Sequence, residues 1–147
     1  MMVACCAFVL ASCHTTAEKQ SMHFFSLKYF FEQESIRLAK AKQHIDKSVS
    51  HNGSFERKNS FIQDWKNELN MFTESDINKP AWRDSYRVVE DSGRISYYAL
   101  DSNLRTRSIV IKKDTAGKPT QIDIINKTHN LLYQSREHLR YVPDSIY

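Results

Sequence analysis

Cysteine is missing from most of this chain: Cys5, Cys6 and Cys13 all fall within the first thirteen of 147 residues. The rest of the sequence therefore offers neither a disulfide framework nor a thiolate metal site. Glycine is as scarce, with only Gly53, Gly93 and Gly117, too widely spaced to build a glycine-rich phosphate loop. No apolar run reaches the roughly 20 residues needed to cross a bilayer as a helix. Charge of one sign is never concentrated: 21 Lys and Arg stand against 17 Asp and Glu, a net +4 with both signs mixed. The nearest basic runs, Arg105 with Arg107 and Lys112 with Lys113, are short, so no nucleic-acid partner is expected. What remains is an ordinary globular composition, 41% hydrophobic and 26% charged, at a length that suits one domain with a real core.

The first thirteen residues carry the strongest pattern. Met1 to Ala11 holds no charge, and Val3 to Ala11 is an apolar run of signal-peptide length. It ends at Leu10-Ala11-Ser12-Cys13, after which His14-Thr15-Thr16-Ala17-Glu18-Lys19-Gln20 is polar. Those four residues resemble the lipobox of bacterial lipoproteins: an aliphatic residue, two small residues, then the cysteine that takes the lipid. The resemblance implies cleavage between Ser12 and Cys13, a diacylglycerol thioether on Cys13, and acylation of the new amino terminus. A thiol suits that chemistry, being the most nucleophilic side chain available near neutral pH. Each buried methylene contributes about 0.8 kcal/mol, so two or three chains anchor stably. The first eleven residues lack the Lys or Arg that usually opens a signal, which points to a start upstream of Met1. His14 after the cysteine favours the outer membrane, by the same resemblance. Residues 1–12 are thus read as signal peptide, 13–24 as a lipidated tether, and 25–147 as a single domain.

Within that domain, Leu27, Phe31, Leu38 and Ala41, widened by Phe30, predict a helix over Ser26 to Gln43, with Glu34 interrupting the stripe. Asn52-Gly53 between Ile45–His51 and Ser54–Asn59 signals an exposed β-hairpin; a first helix prolonged into a loop is the alternative. Ser60-Phe61-Ile62-Gln63 has the form of a capping box. It predicts a second helix carrying Ile62, Trp65, Leu69 and Phe72 and fading by Ile77, ahead of Pro80. Short extended runs follow at Tyr86–Glu90, Arg94–Leu100, Arg105–Lys113, Gln121–Lys127 and Leu131–Val142, the last open to a helical alternative. The expected fold is α+β: two amino-terminal helices, with a possible hairpin between them, packed on an antiparallel β-meander of four to five strands.

No constellation argues for an enzyme, a cofactor or a metal. None of the six histidines has a partner at helical metal-ligand spacing, although His44 and His51 could face one another across the hairpin. Asp64 with Glu68, and Asp84 with Glu90 and Asp91, read as surface carboxylates. The most distinctive stretch is Glu74 to Tyr86. Trp82 could stack on a partner or ligand, Arg83 clamp an anion, and Tyr86 add to the contact; alternatively Trp82 and Tyr86 seal the helix-to-sheet junction, the reading favoured. Asp64-Trp65-Lys66 and Asp76-Ile77-Asn78-Lys79-Pro80-Ala81-Trp82 are similar to segments of small Bacteroidota lipoproteins, a resemblance that implies location and fold but no activity. Two functions follow as expectations: a membrane-anchored, non-enzymatic binding or assembly domain with an envelope protein as partner, or a periplasmic binder of a small apolar or lipid ligand beneath Tyr97, Tyr98 and Tyr133.

Overall fold

The computed structural model describes residues 23–145 and Tyr147; the signal, Ser12 and Cys13 lie outside the described residues. The architecture is α+β: a helix, a two-stranded antiparallel hairpin, two single helical turns and a five-stranded antiparallel sheet.

Helix α1 spans Leu27–Ala41. Ser26 caps it by accepting from the Tyr29 amide at 3.1 Å, and Lys42 ends it in the left-handed conformation (φ 49°). Leu27, Phe31 and Ser35 form the buried row, four residues apart. Ser35 is tolerated there because its hydroxyl donates to the Glu32 carbonyl at 2.8 Å. Glu34, which breaks the apolar stripe, is explained by its partners. It accepts from the Tyr141 hydroxyl and from Arg37 at 2.7 Å, and Arg37 also reaches Asp144 at 2.7 Å.

Strands β1 (His44–His51) and β2 (Ser54–Phe61) form the hairpin. Asn52 (φ 47°) and Gly53 (φ 81°) both adopt positive φ, as a two-residue turn of the favoured twist requires. Nearly every hairpin residue is exposed, and Lys47 leans on the body through an ion pair with Glu68. The pairing runs to His44 opposite Phe61, which corrects the capping-box reading: Ser60 and Phe61 belong to the ladder. The helix starts later, at α2 (Trp65–Glu68), capped by Asp64, whose carboxylate accepts from the Asn67 amide at 3.0 Å. A second turn, α3 (Asn70–Thr73), follows at once. The expected long second helix is therefore two single turns, because Leu69 (ψ 7°) breaks the helical path between them.

Strands β3 (Tyr86–Asp91), β4 (Arg94–Ala99), β5 (Thr106–Lys113), β6 (Pro119–His129) and β7 (Gln134–Tyr141) lie side by side in chain order. The last is a strand, and Leu131–Tyr133 belong to the turn before it. One sheet face carries Tyr97, Ile109, Ile111, Ile122, Ile124 and Tyr141, all buried. Phe31 stacks on Phe72 with centroids 4.6 Å apart and meets Tyr141 edge-on at 5.0 Å. Phe24 lies edge-on to Tyr97 at 5.5 Å and is buried, so the core begins one residue before the span read as the domain.

A register shift between Thr106 and Ser108 makes Arg107 an extra residue in β5. Strict alternation from Ile109 would aim Arg107 at the core. The bulge instead sets Thr106 opposite Asn126, both buried.

Candidate functional site

The 74–86 segment, singled out by sequence, is held chiefly by contacts inside the molecule. The Asp76 carboxylate accepts from the Lys28 amide at 2.7 Å and the Ser26 hydroxyl at 3.2 Å, and its other oxygen takes the Asn78 amide at 2.7 Å. It thus places an anion at the amino end of α1, where unpaired N–H groups concentrate positive potential. Asn78 accepts from the Phe24 amide at 3.0 Å and donates to the Phe25 carbonyl at 3.2 Å. Pro80–Trp82 form one 3₁₀ turn, and the Lys79 ammonium sits 4.0 Å from the Trp82 ring centroid.

The three candidate contact residues have different surroundings. Tyr86 is 6% exposed, its hydroxyl donates to the Thr106 carbonyl at 2.9 Å, and burial pushes its pKa up to about 12, against a smaller lowering by Arg107. Trp82 is half-buried, 6.4 Å from Tyr86. Arg83 is exposed. Only Trp82 and Arg83 present surface to anything outside the chain. The tyrosines expected to line an apolar pocket do not converge. Tyr97 is buried, its hydroxyl accepting from the Phe25 amide at 3.1 Å; Tyr98 is on the opposite face of the sheet; Tyr133 lies in the β6–β7 turn. His44 and His51 sit at the two ends of β1, opposite Phe61 and Ser54, and so do not face each other. Among the described residues no three His, Cys, Asp or Glu side chains converge.

Sequence reasoning missed a buried polar chain beneath that segment. Asn126, 1% exposed, donates to the Ser75 hydroxyl at 2.9 Å and to Glu137 at 3.3 Å. Ser75 in turn donates to the Met71 carbonyl at 2.8 Å, and Glu137 takes Arg105 at 3.0 Å. The Asn126 carbonyl oxygen has no partner. The only trace in the sequence is an asparagine where the alternation Ile122, Ile124 calls for a third apolar residue.

Both edge strands of the sheet carry charge, β3 at Arg87, Glu90 and Asp91, and they differ in their exposed apolar residues. β7 carries Arg136, Glu137, His138 and Arg140, a charged edge of the kind that discourages strand addition. On β3 the central residues are Val88 and Val89, 45% and 40% exposed although they point to opposite faces. The sheet face away from the core is mixed: Val89, Tyr98, Val110 and Ile125 lie among Arg87, Lys112, Lys127, Arg136 and Arg140. There Asp123 binds Arg140 at 2.7 Å and His138 at 3.2 Å. Burial alone would raise its pKa, but bonds from Arg140, Gln121 and His138 outweigh that and hold it below the ordinary carboxylate value.

No protein family, curated protein or solved structure matches this chain.

Proposed function

We propose that the protein is a membrane-anchored lipoprotein of the cell envelope, held by lipid on Cys13, whose domain serves binding or assembly rather than catalysis. Its helical layer covers one sheet face and leaves the β3 edge to an envelope protein that adds a strand there. The observation carrying this reading is the valine pair at the centre of β3: both edge strands carry charge, β3 at Arg87, Glu90 and Asp91, but β3 alone of the two sets exposed apolar side chains, Val88 and Val89, beside its backbone ladder. The resemblance to lipoproteins, with His14 after the cysteine, supports a periplasmic face on the outer membrane.

Affinity purification from membranes tests it. The lipidated protein should recover a partner in stoichiometric amount. Val88→Lys with Val89→Lys should lose that partner while the melting temperature changes little, because neither side chain belongs to the buried core. Equal recovery by the double variant, or monomer alone from the parent, overturns the edge-docking reading. Cys13→Ala, labelled metabolically with a fatty acid, tests the anchor separately: label and membrane retention should both disappear.

A further inference from the structure

Among the described residues, the β6–β7 turn carries the two most exposed large apolar side chains. Leu131 and Leu132 are 104% and 93% exposed, and Tyr133 follows at 56%. The turn is nonetheless well built. Asn130 donates its amide to the Tyr133 carbonyl at 3.0 Å, and its side-chain oxygen accepts from the Leu132 and Tyr133 amides, both at 2.9 Å. Three of the turn's backbone amides are therefore bonded within it, and the two leucines project as an apolar tip. Paired side chains of this kind in water cost free energy unless something apolar receives them.

Strand register shows what shares that end of the molecule. Tyr86 pairs with Ala99, Tyr98 with Ser108, Thr106 with Asn126 and His129 with Gln134. Hence the start of β3, the β4–β5 loop with exposed Leu100, and the leucine tip all lie at one end of the sheet. The opposite end holds the polar turns around Gly93 and Gly117. The first described residues lie at the apolar end too. Phe24 is bonded to Asn78, and Asn78, Lys28 and Tyr133 line one cleft. Nine residues separate Cys13 from His23, a reach of at most roughly 35 Å.

Just behind the tip, Lys127 and Arg136 face each other across β6 and β7, both exposed. Neither has an ion-pair partner among the described residues. Like charges directly opposite repel, and an anion between them relieves the repulsion. His129 stands two residues further along β6 towards the tip, while Glu137, the nearby carboxylate, is taken by Arg105.

We propose that this end docks on an anionic bilayer: Leu131 and Leu132 enter the acyl region, Tyr133 lies at the interface, and Lys127 and Arg136 hold lipid phosphates. A projecting tip suits a fluid interior, and the basic pair sets the charge of the surface. The orientation, with the tip entering the leaflet that carries the Cys13 lipid, rests on the anchored reading. The tip's affinity for lipid does not.

Full-length Leu132→Trp, mixed with vesicles of phosphatidylglycerol containing acyl-chain-brominated lipid, tests this directly. The new indole should shift to the blue and be quenched at least twofold; with phosphatidylcholine vesicles the effect should be several-fold weaker. In the Cys13→Ala background, Leu131→Ser with Leu132→Ser should reduce phosphatidylglycerol binding about tenfold, and Lys127→Glu with Arg136→Glu should do the same. Anchored protein that pellets with vesicles while the indole stays water-like overturns the tip proposal and leaves the anchor standing. Loss of membrane retention by Cys13→Ala in cells, with quenching preserved in vesicles of the lipidated protein, leaves both intact. An indole unshifted by lipid but shielded in native membranes assigns the tip to a protein partner and overturns the proposal.

Discussion

The Asp76 carboxylate accepts from Lys28, Ser26 and Asn78, so one side chain fastens the start of α1 to the loop before β3. Removing it leaves the Lys28 amide without its acceptor and takes the anion from the helix end. Asp76→Ala should cost about 2 kcal/mol of stability in a urea titration, and Asp76→Asn clearly less, since it keeps an acceptor but not the charge. Asn126 makes a second residue-scale test. Asn126→Asp sets a buried carboxylate beside the partly exposed Glu137, and the two cannot both ionise cheaply. The variant should lose about 3 kcal/mol or more at neutral pH and recover much of it near pH 4. Equal loss at both pH values would show that shape, not charge, governs the site.

The hairpin and α1 behave as opposite kinds of element. The β1–β2 ribbon buries almost nothing and depends on its turn and on the Lys47–Glu68 pair. At Gly53 (φ 81°) no neighbouring atom would obstruct a Cβ, so any cost there is conformational. Gly53→Val should therefore raise amide exchange and protease cutting along residues 44–61, with little change in the melting temperature of the body. In α1, Phe31 stacks on Phe72 and meets Tyr141 edge-on. Phe31→Ala should destabilise the whole domain by about 3–5 kcal/mol, read as a shift in denaturant midpoint at unchanged slope. A local effect only would show that the helix is not part of the cooperative unit.

For the molecule as a whole, titration of buried phenols limits stability at high pH. Burial raises the pKa of Tyr86 to about 12; Tyr97 and Tyr141 are raised chiefly by burial too, Tyr141 also by Glu34. A raised pKa means that the folded state holds the proton more tightly than the unfolded chain. The stability this supplies is complete below about pH 10, the unfolded value, and is lost as pH climbs through the folded values. Unfolding monitored by circular dichroism should accordingly set in above about pH 10, together with phenolate absorbance. Tyr86→Phe should leave the acid side of the profile unchanged. Asp123 works in the other direction: its lowered pKa adds stability above about pH 4 that fades as pH falls further.

Sequence alone determined the α+β class, the reach of α1 to within two residues, the Asn52-Gly53 turn and the positions of the first four meander strands. These depend on periodicity and turn chemistry within a few residues, and the chain carries both locally. Tertiary structure decided the rest. Ser60 could cap a helix or extend a ladder, and the partner strand settled which. Asp76 caps a helix 48 residues away from itself, a role that no local spacing encodes. The Arg107 bulge exchanged which neighbour faces the core, turning Thr106 inward to meet Asn126. Tyr86, open in the sequence to a contact role or to sealing the helix-to-sheet junction, is core because the strand beside it supplies an acceptor at Thr106. Leu131 and Leu132 read as strand because they head an apolar segment whose residues separate into two faces; they are fully exposed because Asn130 closes the turn before the ladder reaches them. The common reason is range: hydrophobic pattern acts along the chain, whereas caps, bulges and edges depend on which distant groups the fold brings within about 3 Å.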